Sequence, residues 1–184
     1  MVFDVAGRTI IVEQGDLTLK RADAIVNAAN STLMGGGGVD GAIHRAGGPT
    51  ILEECRRIVA EHGHLPAGKA VVTKGGKLPS RFVIHTVGPV WRGGRFNEAA
   101  VLASAYEESL ALAESNRLTS VAFPSISTGA YGYPVVDAAR VSITSVMHFL
   151  RTSALTVRQV TFVLFDEGTL HVYERVAADL ASES

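Results

Sequence analysis

The chain has 184 residues, 47% of them hydrophobic and 19% charged, with a formal net charge of −1. That composition supports a packed α/β core and excludes an intrinsically disordered chain. The near-neutral balance excludes a broad attraction to nucleic acid or anionic membrane, and the lone Cys55 excludes an internal disulfide or a multi-cysteine zinc site.

No apolar run is long enough to span a bilayer, and the opening MVFDVAGRTI lacks a signal-peptide layout, so a cytoplasmic protein is expected. With no repeat, low-complexity tract or Pro/Ser-rich linker, a single domain over 1–184 is expected, as a monomer.

RTIIVEQ (8–14) and DAIVNAA (23–29) are rich in Ile and Val and end in turn residues, which predicts strands. Val39, Ala42, Ile43 and Ala46 follow helical spacing. A second helix after Pro49 sets Ile51, Cys55, Ile58 and Val59 on one stripe, with Cys55 a buried filler. KAVVTKGGKLPSRFVIHTV (69–87) reads as two strands around a Gly-Gly/Pro turn, and 97–116 as a third helix. SVAFPS (120–125) and QVTFVLF (159–165) suit buried parallel strands. Between them Pro134 opens a helix that turns Val136, Ala139, Ile143, Val146, Met147 and Leu150 to the core. A last helix near 169–181 turns in Leu170, Tyr173, Val176, Ala177 and Leu180.

Alternating strands and helices predict an α/β fold: a mixed, mostly parallel sheet with helices on both faces. In such sheets ligands bind beyond the carboxyl ends of the strands, which here are 28–38, 124–134 and the segment from Phe165. Two of these loops are dense in glycine and hydroxyl residues.

GGGGVDG (35–41) opens a helix, so backbone N–H groups and the positive end of the helix dipole meet where a phosphate could sit. The spacing also satisfies G-x-G-x-x-G. A dinucleotide-binding unit is nevertheless rejected, because the glycines do not follow a strand directly and two helices precede the next strand. PSISTGAYGYP (124–134) repeats the same logic, and two amide-rich loops on one edge point to a diphosphate held between them.

Asp40 and His44 share one helix face, with Asp40 expected to be an exposed first-turn carboxylate. Asn27 and Asn30 read as turn formers or as amides for sugar hydroxyls. Asp16 reads as a cap or as an acceptor for an exocyclic amine, and Tyr131 and Phe165 as packing or as surfaces for ribose and purine. His85 is expected to be a core histidine satisfied by backbone. Lys69, Lys74, Lys77 and Arg81 form a solvated edge, and no G-x-S-x-G nucleophile elbow is present.

GDLT (15–18), DAIVNAANSTLMGGGGVDGAIHRAGG (23–48), HTVGPVW (85–91), PSISTGAYGYP (124–134) and FDE (165–167) together resemble the macrodomain family, and within it the MacroD-type ADP-ribosyl hydrolases. The resemblance implies a three-layer α/β/α macrodomain with a cleft for ADP-ribose. It implies Asp16 and Leu17 at the adenine with Phe165 nearby, and Ser127, Thr128, Gly129, Ala130 and Tyr131 around the diphosphate. It further implies Gly37, Gly38 and Val39 on the other side of the diphosphate, Asn30 at the distal ribose, Asp40 beside the scissile bond and His44 where hydrolytic members often carry histidine, with Asp40, Asn30 and His44 as the catalytic set. Gly168 and Thr169 depart from the usual pattern after FDE, and the cysteine/histidine insertion of zinc-dependent members is missing, so no metal and no cofactor are expected.

The expected function is removal of mono-ADP-ribose from Asp and Glu side chains of proteins, with deacetylation of O-acetyl-ADP-ribose at the same site. Asp40 would orient a water, and a ligand phosphate could share the role of base. The alternatives are a non-catalytic ADP-ribose reader and an ADP-ribose 1″-phosphate phosphatase. Expected partners are ADP-ribose, mono-ADP-ribosylated proteins and O-acetyl-ADP-ribose, with no membrane; whether nucleic-acid ends bearing ADP-ribose are substrates is left open.

Overall fold

The computed structural model describes residues 1–183. In chain order the strands are β1 (Val2–Val5), β2 (Arg8–Gln14), β3 (Ala24–Ala28), β4 (Ala70–Lys74), β5 (Phe82–Thr86), β6 (Ser120–Phe123) and β7 (Gln159–Leu164). The helices are α1 (Gly38–Gly47), α2 (Pro49–His62), α3 (Glu98–Ser115), α4 (Val135–Thr152) and α5 (Glu167–Ser182), and Leu17–Leu19 form a 3-10 turn.

The strands make one sheet in the order β1-β2-β7-β6-β3-β5-β4. The inner pairs are parallel, while β1 on β2 and β4 on β5 are antiparallel edges. The inner strands carry apolar residues on both faces, as strands covered on both sides must. One face packs Ile25, Val83 and Ala122 against Ile43 of α1 and Ile51 and Cys55 of α2. The other packs Val26, Ile84, Phe123 and Phe162 against α3, α4 and α5. The result is the three-layer α/β/α arrangement expected from the sequence.

Tyr106 of α3 and Tyr173 of α5 are fully buried among Phe123 and Phe162, with ring centroids 4.9 Å (Tyr106–Phe123) and 5.4 Å (Phe162–Tyr173) apart. Each keeps its hydroxyl at the sheet edge where the strands end.

Three expectations are corrected. β1 was not anticipated: VFDV is short and largely exposed, and its place comes from a tight turn at Ala6 and Gly7, both at positive φ, that folds it onto β2. Val136 is 53% exposed, because it lies on the outer side of the first turn of α4. Ala46 also faces solvent, so the α1 stripe is narrower than its spacing implied.

Candidate active site

β2, β7, β6 and β3 are successive parallel neighbours, so their carboxyl ends open on one edge. That edge presents, in spatial order, Asp16 after β2, Phe165 after β7, the 124–134 loop after β6 and the 29–37 loop after β3. At about 4.8 Å between strands, the first and last of these lie about 14 Å apart.

At the β2 end, Asp16 caps the 3-10 turn. Its Oδ1 accepts from Thr18 N at 2.9 Å and from Thr18 Oγ1 at 2.6 Å, and its other oxygen has no partner among the described residues. Leu17 beside it buries its side chain under the sheet. Phe165 is 86% exposed on the neighbouring strand end, tied to β2 by a 3.4 Å bond from Gln14 Nε2 to its carbonyl. A spare acceptor beside a bare ring face suits a flat heteroaromatic ligand that carries an amine.

In the middle, the 124–134 loop is held from below. Tyr173 donates its hydroxyl to Ser125 Oγ at 3.0 Å, and Ile126 N donates to the Tyr106 hydroxyl at 3.3 Å. Burial pushes both phenols above their ordinary range, so they stay neutral. Thr128 Oγ1 donates to Ser125 Oγ at 2.8 Å. Ser127 takes φ +67°, and its buried Oγ has no partner among the described residues. Gly88, in the loop after β5, backs it so closely that a Cβ there would overlap Ser127 Oγ. A strained residue with an orphaned hydroxyl at a loop tip is the mark of a ligand position. Gly129 and Ala130 are exposed, Tyr131 is half-buried, and nothing approaches the Cβ position of Gly129.

Facing this loop is the start of α1. Gly37 is its N-cap, exposed and with open space around its Cβ position. The first-turn N–H groups that follow, from Gly38 and Val39, have no acceptor within the helix. Two sets of free amides, one on a helix N-terminus, therefore line the middle of the edge, where they can bind paired phosphates.

At the β3 end lies the carboxylate. Asp40 was expected to be exposed; it is only 5% exposed, because the loop from Asn30 to Gly37 folds over it. Asn27 Nδ2 donates to Asp40 Oδ1 at 2.9 Å, and His44 Nε2 lies 3.4 Å from that same oxygen. Asp40 Oδ2 accepts no hydrogen bond among the described residues and faces Gly36, whose Cβ would lie 3.2 Å from it and 3.5 Å from Asn30 Nδ2. Asn30 shapes the covering loop: its amide donates to Gly35 O at 2.9 Å and its Oδ1 accepts from Thr32 Oγ1 at 2.6 Å. One carboxylate oxygen is held, and the other, beside Gly36, has no partner among the described residues. Such an arrangement can orient a water against a bound electrophile.

Two residues read as local structure prove to be part of this end. Asn27 is no turn former but a fully buried residue of β3. His85 is satisfied by side chains rather than backbone: its Nδ1 is 3.1 Å from Asn27 Nδ2 and its Nε2 2.9 Å from Thr73 Oγ1, with Cys55 Sγ 3.8 Å from Nε2. Burial, and secondarily His44, lower its pKa to about 3 against the opposing pull of Asp40. Burial, then Asp40 and Glu54, push the Cys55 thiol up to about 12, which makes it an unreactive filler. The signal for Asn27 was its alternation with Ile25, which points it at α1.

Comparison with known proteins agrees with this geometry. The Macro domain family matches residues 26–142. An O-acetyl-ADP-ribose deacetylase of Citrobacter koseri is 54% identical over 174 residues, covering 95% of this chain and 98% of that one. The Escherichia coli protein of the same name is 52% identical with the same coverage. Among solved structures, an Oceanobacillus iheyensis macrodomain with ADP superimposes with a TM-score of 0.95 at 40% identity, over 100% of this chain and 97% of that chain. A Trypanosoma brucei macrodomain in complex with ADP-ribose gives 0.83 at 40% identity, over 91% and 68%.

Proposed function

The chain belongs to the macrodomain family, and from that membership we propose that it hydrolyses esters carried on the distal ribose of ADP-ribose. The substrates are O-acetyl-ADP-ribose, the compound named in its curated relatives, and the ester that joins mono-ADP-ribose to Asp or Glu side chains of proteins. In this reading adenine lies on Phe165 with its amine toward Asp16 and the amide of Leu17. The diphosphate is gripped between Ser127–Tyr131 and Gly37–Val39, and Asn30 meets the distal ribose.

The observation that carries the reading is the divided carboxylate of Asp40, with Oδ1 engaged by Asn27 and His44 and Oδ2, beside Gly36, without a partner among the described residues. Oδ2 aligns a water; the water adds across the ester bond, giving ADP-ribose and the free carboxylic acid. The proton released in attack passes to Asp40 or to a phosphate oxygen of the bound ligand. Orientation of this kind is worth up to ~7–11 kcal/mol of barrier in well-aligned systems.

The test is a turnover assay on O-acetyl-ADP-ribose and on a glutamate-ADP-ribosylated protein, run beside a calorimetric titration with ADP-ribose. Wild type should release ADP-ribose from both esters. Asp40→Ala should lose about 10²–10⁴-fold in kcat while its ADP-ribose affinity stays within about tenfold. A wild type that binds ADP-ribose and leaves both esters intact is a reader instead. Phosphate released only from the 1″-phosphate would make it a phosphatase.

A further inference from the structure

β3, β5 and β4 are hydrogen-bonded neighbours, and their register puts three polar side chains in one row. Asn27 pairs with His85, His85 pairs with Val71, and Thr73 shares the Val71 face two residues along β4. All three are buried on the face that packs against α1 and α2, among apolar neighbours. Three polar groups in such a place, in register, require an explanation beyond packing.

Their hydrogen bonds have only one consistent direction. Of the two hydrogens on the Asn27 amide, one goes to Asp40 Oδ1, so the other reaches His85 Nδ1, which must present a lone pair. The imidazole proton is then on Nε2 and is donated to Thr73 Oγ1, whose own hydrogen goes to Lys74 O at 3.1 Å. Rotating the Asn27 amide by half a turn would set its oxygen against the Asp40 carboxylate; a His85 proton moved to Nδ1 could meet that oxygen but would not relieve its repulsion from Asp40. The amide therefore keeps its orientation although its Oδ1 is left buried with no partner among the described residues. The depressed pKa of His85 agrees with a ring that stays neutral.

We propose that Asn27 and His85 are positioning residues: a neutral imidazole, fixed by Thr73 in its Nε2–H form, locks the Asn27 amide so that it holds Asp40 Oδ1 and turns Oδ2 toward the reacting water. The proposal rests on the reading of Asp40 as the water-orienting carboxylate. Neither residue touches the ligand, so their loss should fall on kcat rather than on ADP-ribose affinity.

Two variants at one position separate this role from packing. His85→Asn keeps an acceptor near the Nδ1 position and loses volume; His85→Leu keeps volume and loses the acceptor. Positioning predicts that His85→Asn retains kcat within about fivefold and that His85→Leu loses about a hundredfold, as a carboxylate displaced by about 1 Å would. In both, ADP-ribose affinity by calorimetry should stay within about threefold of wild type. A packing role predicts the reverse order, with the leucine variant the more active, and that order, or equal activity, overturns the proposal. Should either variant fail to fold, imidazole 15N NMR of wild type decides: the Nε2–H form of His85 supports the proposal and the Nδ1–H form overturns it. Full activity in His85→Leu together with an inactive Asp40→Ala sinks the positioning role alone, whereas a wild type that leaves both esters intact sinks the functional reading and the positioning role with it.

Discussion

The two glycine-bearing loops look alike in sequence and are anchored in different ways. Each follows a parallel strand, each leads into a helix, and each exposes a glycine, Gly37 or Gly129, with open space at its Cβ position. The loop after β3 sits on a chain of amide, imidazole and hydroxyl that ends at a carboxylate. The loop after β6 sits on two buried phenols that end at Ser125 and Ile126. On the proposed reading, the first support aims a charge and the second fixes a backbone so that its amides stay put. Damage to the first should therefore appear in turnover, and damage to the second in affinity.

The largest contrast comes from the carboxylate itself. Asp40→Ala should lower kcat by about 10²–10⁴-fold with little change in ADP-ribose binding, read by calorimetry; equal loss of both would merge the two regions into one role. Next is Gly37→Glu. Its φ of −91° suits any residue and its Cβ position is open, so the protein should melt as wild type does. The new carboxylate would meet the diphosphate and weaken binding by about a hundredfold, about 2.7 kcal/mol. Unchanged affinity would remove this loop from the cleft.

Gly88→Ala tests the second loop from beneath. The added methyl overlaps Ser127 Oγ and Ile126, so stability should fall by about 1–3 kcal/mol and affinity should fall more than kcat; an unaltered melting curve would show that the contact is slack. Tyr173→Phe is gentler. It removes the hydroxyl bonded to Ser125 and should cost about 1 kcal/mol, read as a severalfold weaker affinity at constant kcat. A change in kcat alone would break the contrast between the loops.

Proton linkage at His85 adds nothing near neutrality and grows only toward acid. Its folded pKa of about 3 lies below the unfolded value. Between the two, the unfolded chain binds a proton that the folded chain does not, so stability falls as pH drops through this window and is fully lost from this source below about pH 3. The slope is at most about 1.4 kcal/mol per pH unit for one proton. Denaturation midpoints between pH 7 and pH 4 should show a shallower acid loss in His85→Asn than in wild type, and an unchanged slope would mean that His85 takes up its proton in the folded state.

The sequence made the periodic elements plain and the lateral ones obscure. RTIIVEQ (8–14) matches β2 residue for residue, and the helices announced by Pro49 and Pro134 start within a residue of where those prolines stand. Both glycine loops lie on the predicted edge. Asn27 and His85 escaped because strand register is a long-range property: nothing near Asn27 in sequence says that His85, 58 residues away, is its neighbour. Turn propensity gave Asn27 a local meaning that its burial overrides. Asp40 escaped in burial for a related reason, since Gly36, which lies beside its Oδ2, carries no side chain to signal a cover.

The order of strands along the edge also makes the sheet a gauge of ligand length. On the proposed reading, the nucleobase is received at the ends of β2 and β7 and the reacting sugar at the end of β3, so the pitch of the sheet sets the gap that a substrate must bridge. A sugar nucleotide with one phosphate fewer could seat its base on Phe165 or bring its sugar to Asp40, but could not do both at once. On that reading, discrimination against shorter nucleotides would follow from strand topology, without a dedicated side chain.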